Sequence, residues 1–391
     1  VTTSDKIFIE DWLRVSSDNV LEQAISPDAE MLDALTRAMM GWDSLLDDMA
    51  SASDSRRQGM LKSLYELQQG LVQISGLHQA ALSLGSLRHA VHAGMAMLSR
   101  YGRQRDGKLR TLLVVGAVSN GFTEAAREIA IDWASAAVLP SQPLDVESIG
   151  AIVLPLSMLY AAEVNLAAVD TYRKKGGVVI VDGINQYLLP WVGDENPFPA
   201  DILLLDQALL FGVEGAPPAL VVSERFDAFL PLPVITENDG QFIQPGEDLR
   251  PSSIGALHQG IADLPLLFHC FISLRARGVR GVQEQMLGAL VATRYLFDSL
   301  AAPDDNDDVA GLDRRALYGH NVVIRCAAVA DDSMVMRLVE LLDVSPIKEA
   351  TGIDAWHFPL RKLTELDADS ITRFARELAA MQPRPVLITM S

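Results

Sequence analysis

The first stretch of the chain to show helical periodicity is 28–49, where Met31, Leu32, Leu35, Met39, Leu45 and Leu46 recur every three to four residues behind a capping Asp28. Residues 1–27 before it are mixed and unpatterned and read as an arm, and 51–57 are polar and read as a loop. A second helix is predicted from Met60 to Ile74, stopped by Gly76 in the usual position for a helix C-cap. A third is predicted to start at Gly85-Ser86 and carries Leu87, Val91, Met95 and Leu98 on one face.

After Leu109 the pattern changes. Short, almost wholly apolar runs appear at Thr111–Val115, Ala151–Leu156, Gly177–Val181, Ile202–Leu205 and Leu220–Val222. Helical patterns separate several of them, notably Thr123–Ala134 and Ala162–Lys174. Uninterrupted apolar strands alternating with helices are strands buried on both faces, which predicts a mainly parallel α/β sheet. Right-handed crossovers then bring the strand C-termini, and any ligand crevice, to one edge. That edge collects 116–121, 182–186 and 206–212. Two long helices are predicted over Asp263–Leu300, broken near Gly278 or Gly281. The charged run 303–308 is a hinge into a small C-terminal α+β domain, with strands at Val322–Val329, Ala355–Phe358 and Val386–Met390 and helices at Ser333–Leu342 and Asp369–Met381. The expected division is therefore 1–60, 61–302 and 303–391.

Composition narrows the functional classes. The net charge of −19 disfavours nucleic acid and anionic membrane surfaces, since both need a basic face. Cys270 and Cys326 are the only cysteines, too few for a disulfide framework or a cysteine metal cluster. No apolar run reaches the ~18 residues of a spanning helix, so a cytoplasmic location is expected. Hydrophobic residues make up 49% of the chain, which points to a large buried interface as well as a core.

Chemistry is sparse. Asp182 ends an apolar strand, where a carboxylate is costly unless it is paired or faces a ligand, though capping the turn at Gly183 would also account for it. Gly85-Ser86 at a helix start can act as a phosphate cup through free N–H groups, or as an ordinary N-cap. The 116–121 turn has the same two readings. His89 and His92 lie three apart on a helix, but no third metal ligand is placed by the sequence, so no metal is expected. Arg275, Arg277 and Arg280 read as solvated helix ends. Nucleophile-elbow, P-loop and dinucleotide glycine motifs are absent. No lysine lies between residues 176 and 347, which includes the second half of the sheet.

Five stretches, in order, carry a resemblance. Leu64-Tyr-Glu-Leu-Gln68 with Ile74-Ser-Gly76 is similar to Tyr-Glu-Leu-Gln…Ile-Thr-Gly, and Val181-Asp-Gly-Ile-Asn185 to Tyr-Asp-Gly-Ala-Asn. Ser223-Glu-Arg-Phe-Asp-Ala-Phe-Leu-Pro-Leu-Pro-Val-Ile235 is similar to Lys-Glu-x-Leu-x-x-Phe-Leu-Pro-x-Pro-x-Val. Arg250-Pro-Ser-Ser-Ile-Gly255 is similar to Arg-Pro-x-Ser-Ile-Gly, and His357-Phe-Pro-Leu360 to Tyr-Phe-Pro-Leu. Over roughly residues 60–385 the chain resembles the fold-type I pyridoxal-phosphate enzymes, specifically glycine decarboxylase (the glycine cleavage P-protein), subunit 2. The resemblance implies an aspartate-aminotransferase-like fold: a mainly parallel central sheet flanked by helices, plus a small C-terminal α+β domain.

It also implies a cofactor site. Asp182 would pair with the pyridine nitrogen and keep it protonated, with Gly85, Ser86 and Asn185 around the cofactor. The family's Schiff-base segment, Asn-Leu-His-Lys-Thr-Phe, aligns with Asp206-Gln-Ala-Leu-Leu-Phe211. Leu209 thus stands at the lysine position and Ala208 at the histidine, while Asn120 replaces the family's cofactor-stacking histidine. The loop that follows is shortened to 212–218. Leucine has no amine to offer, so lysine-mediated chemistry is lost. The expectation is a catalytically inactive homologue with no cofactor, acting as a structural or regulatory subunit in a homodimer or in a heterodimer with a related chain. The alternative is an enzyme that binds pyridoxal phosphate or its amine form non-covalently, or completes its site with a partner; a third reading reuses the cleft for another small ligand.

Overall fold

The computed structural model describes residues 54–300 apart from 83, 107–110, 117, 119–120, 141–143, 161–163, 185, 187, 189–197, 244–249 and 255–263. It also describes four strands within 321–390. The predicted helix at 28–49, the hinge at 303–308 and the two C-terminal helices lie outside the described residues.

Seven strands form the main sheet: β1 (Gln79–Ala81), β2 (Thr111–Val115), β3 (Trp133–Ala136), β4 (Ile149–Pro155), β5 (Val178–Gly183), β6 (Ile202–Leu205) and β7 (Ala219–Val222). Their order is β1-β7-β6-β5-β4-β2-β3. Every pairing from β6 through β3 is parallel, while β7 is antiparallel to both β6 and β1. So β7 alone runs against the other six, and six strands end at one edge.

Alternation along each strand sorts side chains into two apolar layers, as the pleat requires. Leu113, Val115, Ile152, Leu154, Val179, Val181, Leu203 and Leu205 join one cluster, with α1 (Asp54–Ser75), α4 (Leu156–Tyr160), α5 (Leu166–Lys174), α6 (Gln207–Phe211) and α7 (Leu264–Leu300). Leu112, Val114, Ala151, Val153, Val178, Ile180, Ile202 and Leu204 join the other, with α2 (Leu87–Asp106) and α3 (Gly121–Glu128). Every residue of β5 and β6 is buried, and each such large aliphatic side chain contributes ~1.5–3 kcal/mol on leaving water. These strands therefore read as unbroken apolar runs in the sequence.

Several boundaries differ from the sequence reading. The first helix starts earlier, at Asp54, and ends as expected, with Gly76 at φ +69° behind it. α3 stops at Glu128 rather than Ala134, because Ala130 takes a left-handed φ of +57° and the chain turns into β3. β3 escaped notice because it is an edge strand with Trp133, Ala134 and Ser135 exposed. β1 is only three residues long, too short to show periodicity. α5 begins at Leu166, where Asn165 caps it by accepting from the Ala168 N–H (3.2 Å). α7 bends where expected, at Gly278 (φ 69°, ψ 171°). A hairpin, β8 (Thr236–Asn238) and β9 (Gln241–Ile243), was not anticipated.

Toward the C-terminus, β10 (Asn321–Cys326), β11 (Ser345–Lys348), β12 (Asp354–Pro359) and β13 (Leu387–Met390) form an antiparallel sheet in the order β11-β12-β10-β13. Three of these strands match the predicted ones, and β11 is additional. The architecture is that of fold-type I: a mostly parallel seven-stranded mixed sheet between two helical layers.

Candidate functional site

The edge where six strands end is lined by short connections. Asp182 stands on β5 one residue before its end, opposite Pro155 of β4 and Leu204 of β6, and is 1% exposed. Its parity with Val178 and Ile180 turns it toward the α2–α3 layer. One carboxylate oxygen accepts from the Ile184 N–H (3.1 Å), so the acid also shapes the turn that follows. The backbone here is tight: a Cβ on Gly183 would lie 2.6 Å from the Leu204 carbonyl oxygen. Behind the turn, Gln186 accepts from the Ser157 N–H (2.6 Å), a buried link between the β5 and β4 exits that sequence patterning did not single out.

Gly85 and Ser86 lie at the start of α2, on the same edge and against the same layer as Asp182. Gly85 has φ +73°, a left-handed conformation that favours glycine. Ser86 caps α2, its Oγ accepting from the His89 N–H (3.2 Å) and meeting His89 Nδ1 at 3.1 Å. Both residues are exposed, with the Ser86 hydroxyl engaged in the cap and the Ser86 N–H donating to the Leu84 carbonyl (2.8 Å). The geometry is that of the N-cap reading. Gly116, at the β2 exit, has φ +70°, and a Cβ there would lie 2.7 Å from Met158 Sδ.

The segment after β6 is the short helix α6. Asp206 caps it, accepting from the Leu209 N–H (3.2 Å), and Gly212 (φ 69°) ends it. Ala208 and Leu209 are half-buried and pack against the α1–α7 cluster, the layer opposite Asp182. Two side chains of α7 hold the far end of α6: Ser273 Oγ (2.8 Å) and Arg277 Nη2 (2.9 Å) both donate to the Phe211 carbonyl. Arg277 is thus a cap rather than a solvated end, whereas Arg275 pairs with Glu66 and Arg280 with Glu284 near the surface. Cys270 is buried on α7, and burial pushes its thiol far above the ordinary range; Asp206 adds to the shift. It stays protonated and offers no nucleophile. Asn120 and Asn185 lie outside the described residues.

Apart from the one that holds Asp182, the signature stretches among the described residues sit elsewhere. Because β7 runs backwards, the 3₁₀ turn after it, Glu224–Phe229, emerges at the opposite edge. There Arg225 donates to the carbonyls of Gly177 and Gly176 (3.0 Å each) and to the Tyr101 hydroxyl (2.9 Å). Buried Asp201 gathers Arg173 (3.1 Å), Ser223 Oγ (3.2 Å) and the Val179 N–H (2.9 Å). Arg250 clamps Asp227 (3.2 Å), and Ser253 Oγ donates to Leu230 O (2.6 Å). Gln68 of the first motif donates to Ala80 O (2.7 Å) and accepts from the Ile235 N–H (3.1 Å). These residues build scaffold.

Among the described residues no group of three metal-binding side chains forms, and His92 pairs with Glu128 (3.2 Å). No helix among them is long and apolar enough to cross a membrane.

No family model matches the chain. It is 24% identical over 260 residues to glycine dehydrogenase (decarboxylating) subunit 2 of Caldanaerobacter subterraneus subsp. tengcongensis, covering 62% of this chain and 53% of the relative. To the protein of the same name from Thiobacillus denitrificans it is 23% identical over 330 residues, covering 80% and 64%. The chain thus spans between half and two-thirds of the length of these relatives. Its fold is similar to an inhibitor-bound glycine decarboxylase (P-protein) of the glycine cleavage system, with TM-score 0.62, 15% identity and coverage of 97% and 90%. It is also similar to a lysine-to-alanine variant of C-DES with glycine covalently linked to its pyridoxal-phosphate cofactor, with TM-score 0.60, 13% identity and coverage of 90% and 93%. The resemblance read from the five stretches is borne out. The expectation of no cofactor is not: these proteins point to a bound pyridoxal phosphate, one of them holding it although a lysine has been replaced by alanine. The alignment of Leu209 with the family's lysine was too narrow a ground for expecting none, because a buried acid and a helix N-terminus are also means of holding such a ligand.

Proposed function

We propose that this chain is a glycine-decarboxylase-like subunit that holds pyridoxal phosphate without a covalent tether of its own, and that it serves a related partner chain as a structural or regulatory element. The observation that carries this reading is the placement of Asp182. A carboxylate at 1% exposure on the strand exit, at the same sheet edge as an exposed helix N-terminus, suits a protonated ring nitrogen at one end and a phosphate at the other. In this reading Asp182 holds the ring, and the exposed start of α2 at Gly85 and Ser86 holds the phosphate. When bound, the cofactor supplies an electron sink for charge developing beside its ring. The chain's own contribution to proton transfer is lacking: Leu209 occupies the lysine position and packs into the core, and the buried thiol of Cys270 is held protonated. The strand exits 82–86, 116–121, 155–160, 182–190 and 206–218 contain no lysine. Residues 61–302 form the cofactor-bearing unit, with 1–60 and 303–391 as arm and small domain.

The partner follows from the same incompleteness. The curated relatives are named as one subunit, subunit 2, and a chain that lacks its own amine is of use where another supplies it. A second reading, an enzyme completed by a partner's base, is favoured by the C-DES variant, which carries glycine on its cofactor with a lysine replaced.

Titration of the purified chain with pyridoxal phosphate, followed by absorbance and then by borohydride treatment and mass spectrometry, tests the proposal. Saturable binding is expected, with all cofactor released on denaturation after borohydride. A borohydride-fixed adduct on the unaltered chain, or no saturable binding, overturns the reading.

A further inference from the structure

We propose that Gln207 is a positioning residue, a clamp that fixes the phosphate-side loop of the cofactor site from inside the sheet edge. Its side chain is 0% exposed. Its Nε2 donates to the carbonyl of Leu82 (2.8 Å) and to that of Pro217 (2.7 Å). The three residues come from three neighbouring strands of the β1-β7-β6 order: Leu82 follows β1, Pro217 precedes β7, and Gln207 follows β6. One amide group therefore spans the edge of the sheet from the vestigial lysine segment to the connection that leads to Gly85 and Ser86.

Two features make this more than filler. A buried glutamine is costly unless satisfied, and here both donor hydrogens are used while Oε1 has no partner, so the residue is held for its donors. The family pattern quoted for this segment has leucine at the corresponding position, which fills the space but donates nothing. The carbonyls it secures belong to short connections that no strand ladder satisfies, and buried carbonyls need such partners. Leu84, two residues beyond Leu82, is buried and its carbonyl accepts from the Ser86 N–H (2.8 Å), so the clamped carbonyl lies within five residues of the α2 start. With no amine at position 209, affinity rests on how well the non-covalent contacts are preorganised, and a loop held rigid loses less entropy on binding.

The inference rests on the reading that the chain binds pyridoxal phosphate, and its test separates the two. Gln207→Leu removes both donors at nearly constant volume; Gln207→Met, unbranched, serves if the first variant does not fold. Amide hydrogen exchange of residues 82–87 is measured without ligand, and affinities are measured for pyridoxal phosphate and for unphosphorylated pyridoxal. The clamp predicts at least ~10-fold faster exchange in 82–87 with β4 and β5 unchanged, about 10-fold weaker pyridoxal phosphate binding, and unchanged pyridoxal binding. Unchanged exchange overturns the clamp. Equal losses for the two ligands, or faster exchange with full retention of pyridoxal phosphate affinity, overturn its role toward the phosphate. If the unaltered chain binds neither ligand, the functional reading fails, while the exchange result still decides the clamp.

Discussion

Asp182 concentrates the energetics of the site in one residue. In the proposed function, a carboxylate this buried contributes to binding through a charge-assisted hydrogen bond, worth ~1.5–3 kcal/mol, or about 10- to 150-fold in affinity. Asp182→Ala is therefore expected to weaken pyridoxal phosphate binding by that factor in a fluorescence titration, with a smaller change in melting temperature. An affinity that does not move would mean the acid serves the fold and not a ligand. This residue was legible because a charge at the end of an apolar run is conspicuous. Gln207 was not, since a glutamine after a strand announces nothing until its two carbonyl partners are in view.

At the scale of elements, the opposite edge of the sheet carries the stability. Asp201 accepts from a strand amide, a hydroxyl and Arg173, with Arg225 3.7 Å away. Removing it leaves two partly buried guanidinium groups without their common partner, which costs about 3–5 kcal/mol by comparison with broken buried pairs. Asp201→Ala is expected to lower the urea midpoint sharply, and Asp201→Asn less, because the amide oxygen still accepts from Val179. A loss of unfolding free energy below ~1 kcal/mol for the alanine variant would show that the guanidinium groups find other partners. The signature stretch around Arg225 belongs to this network, and Arg250 ties the next stretch to it through Asp227, so what they mark is descent of the scaffold. The proposed cofactor site lies at the other end of the same strands, about which those two stretches say little.

For the whole molecule, charge and apolar surface oppose each other. Two copies of a −19 chain repel one another, yet the composition favours an extensive interface. If the proposed pairing is with a second copy, association is expected to tighten as salt rises from low to physiological ionic strength, because screening removes the repulsion. Sedimentation velocity at two salt concentrations measures it. Association that weakens with salt would instead indicate pairing through opposite charges, as between unlike chains.

The sequence by itself determined the layered sheet and most of its strands, since strands buried on both faces must be apolar throughout, and it placed Asp182 at a strand exit. It left the short and edge strands unseen, because β1 offers three residues and β3 faces water on most of its length. Only the tertiary structure decided that β7 runs backwards, which sends the stretches around Arg225 and Arg250 to one edge and leaves Asp182 at the other. Only it decided that Leu209 packs into the layer opposite Asp182, and that Gln207 ties three strand ends together. Those outcomes depend on direction and on contacts between residues more than a hundred positions apart, and no local pattern of polar and apolar residues encodes either.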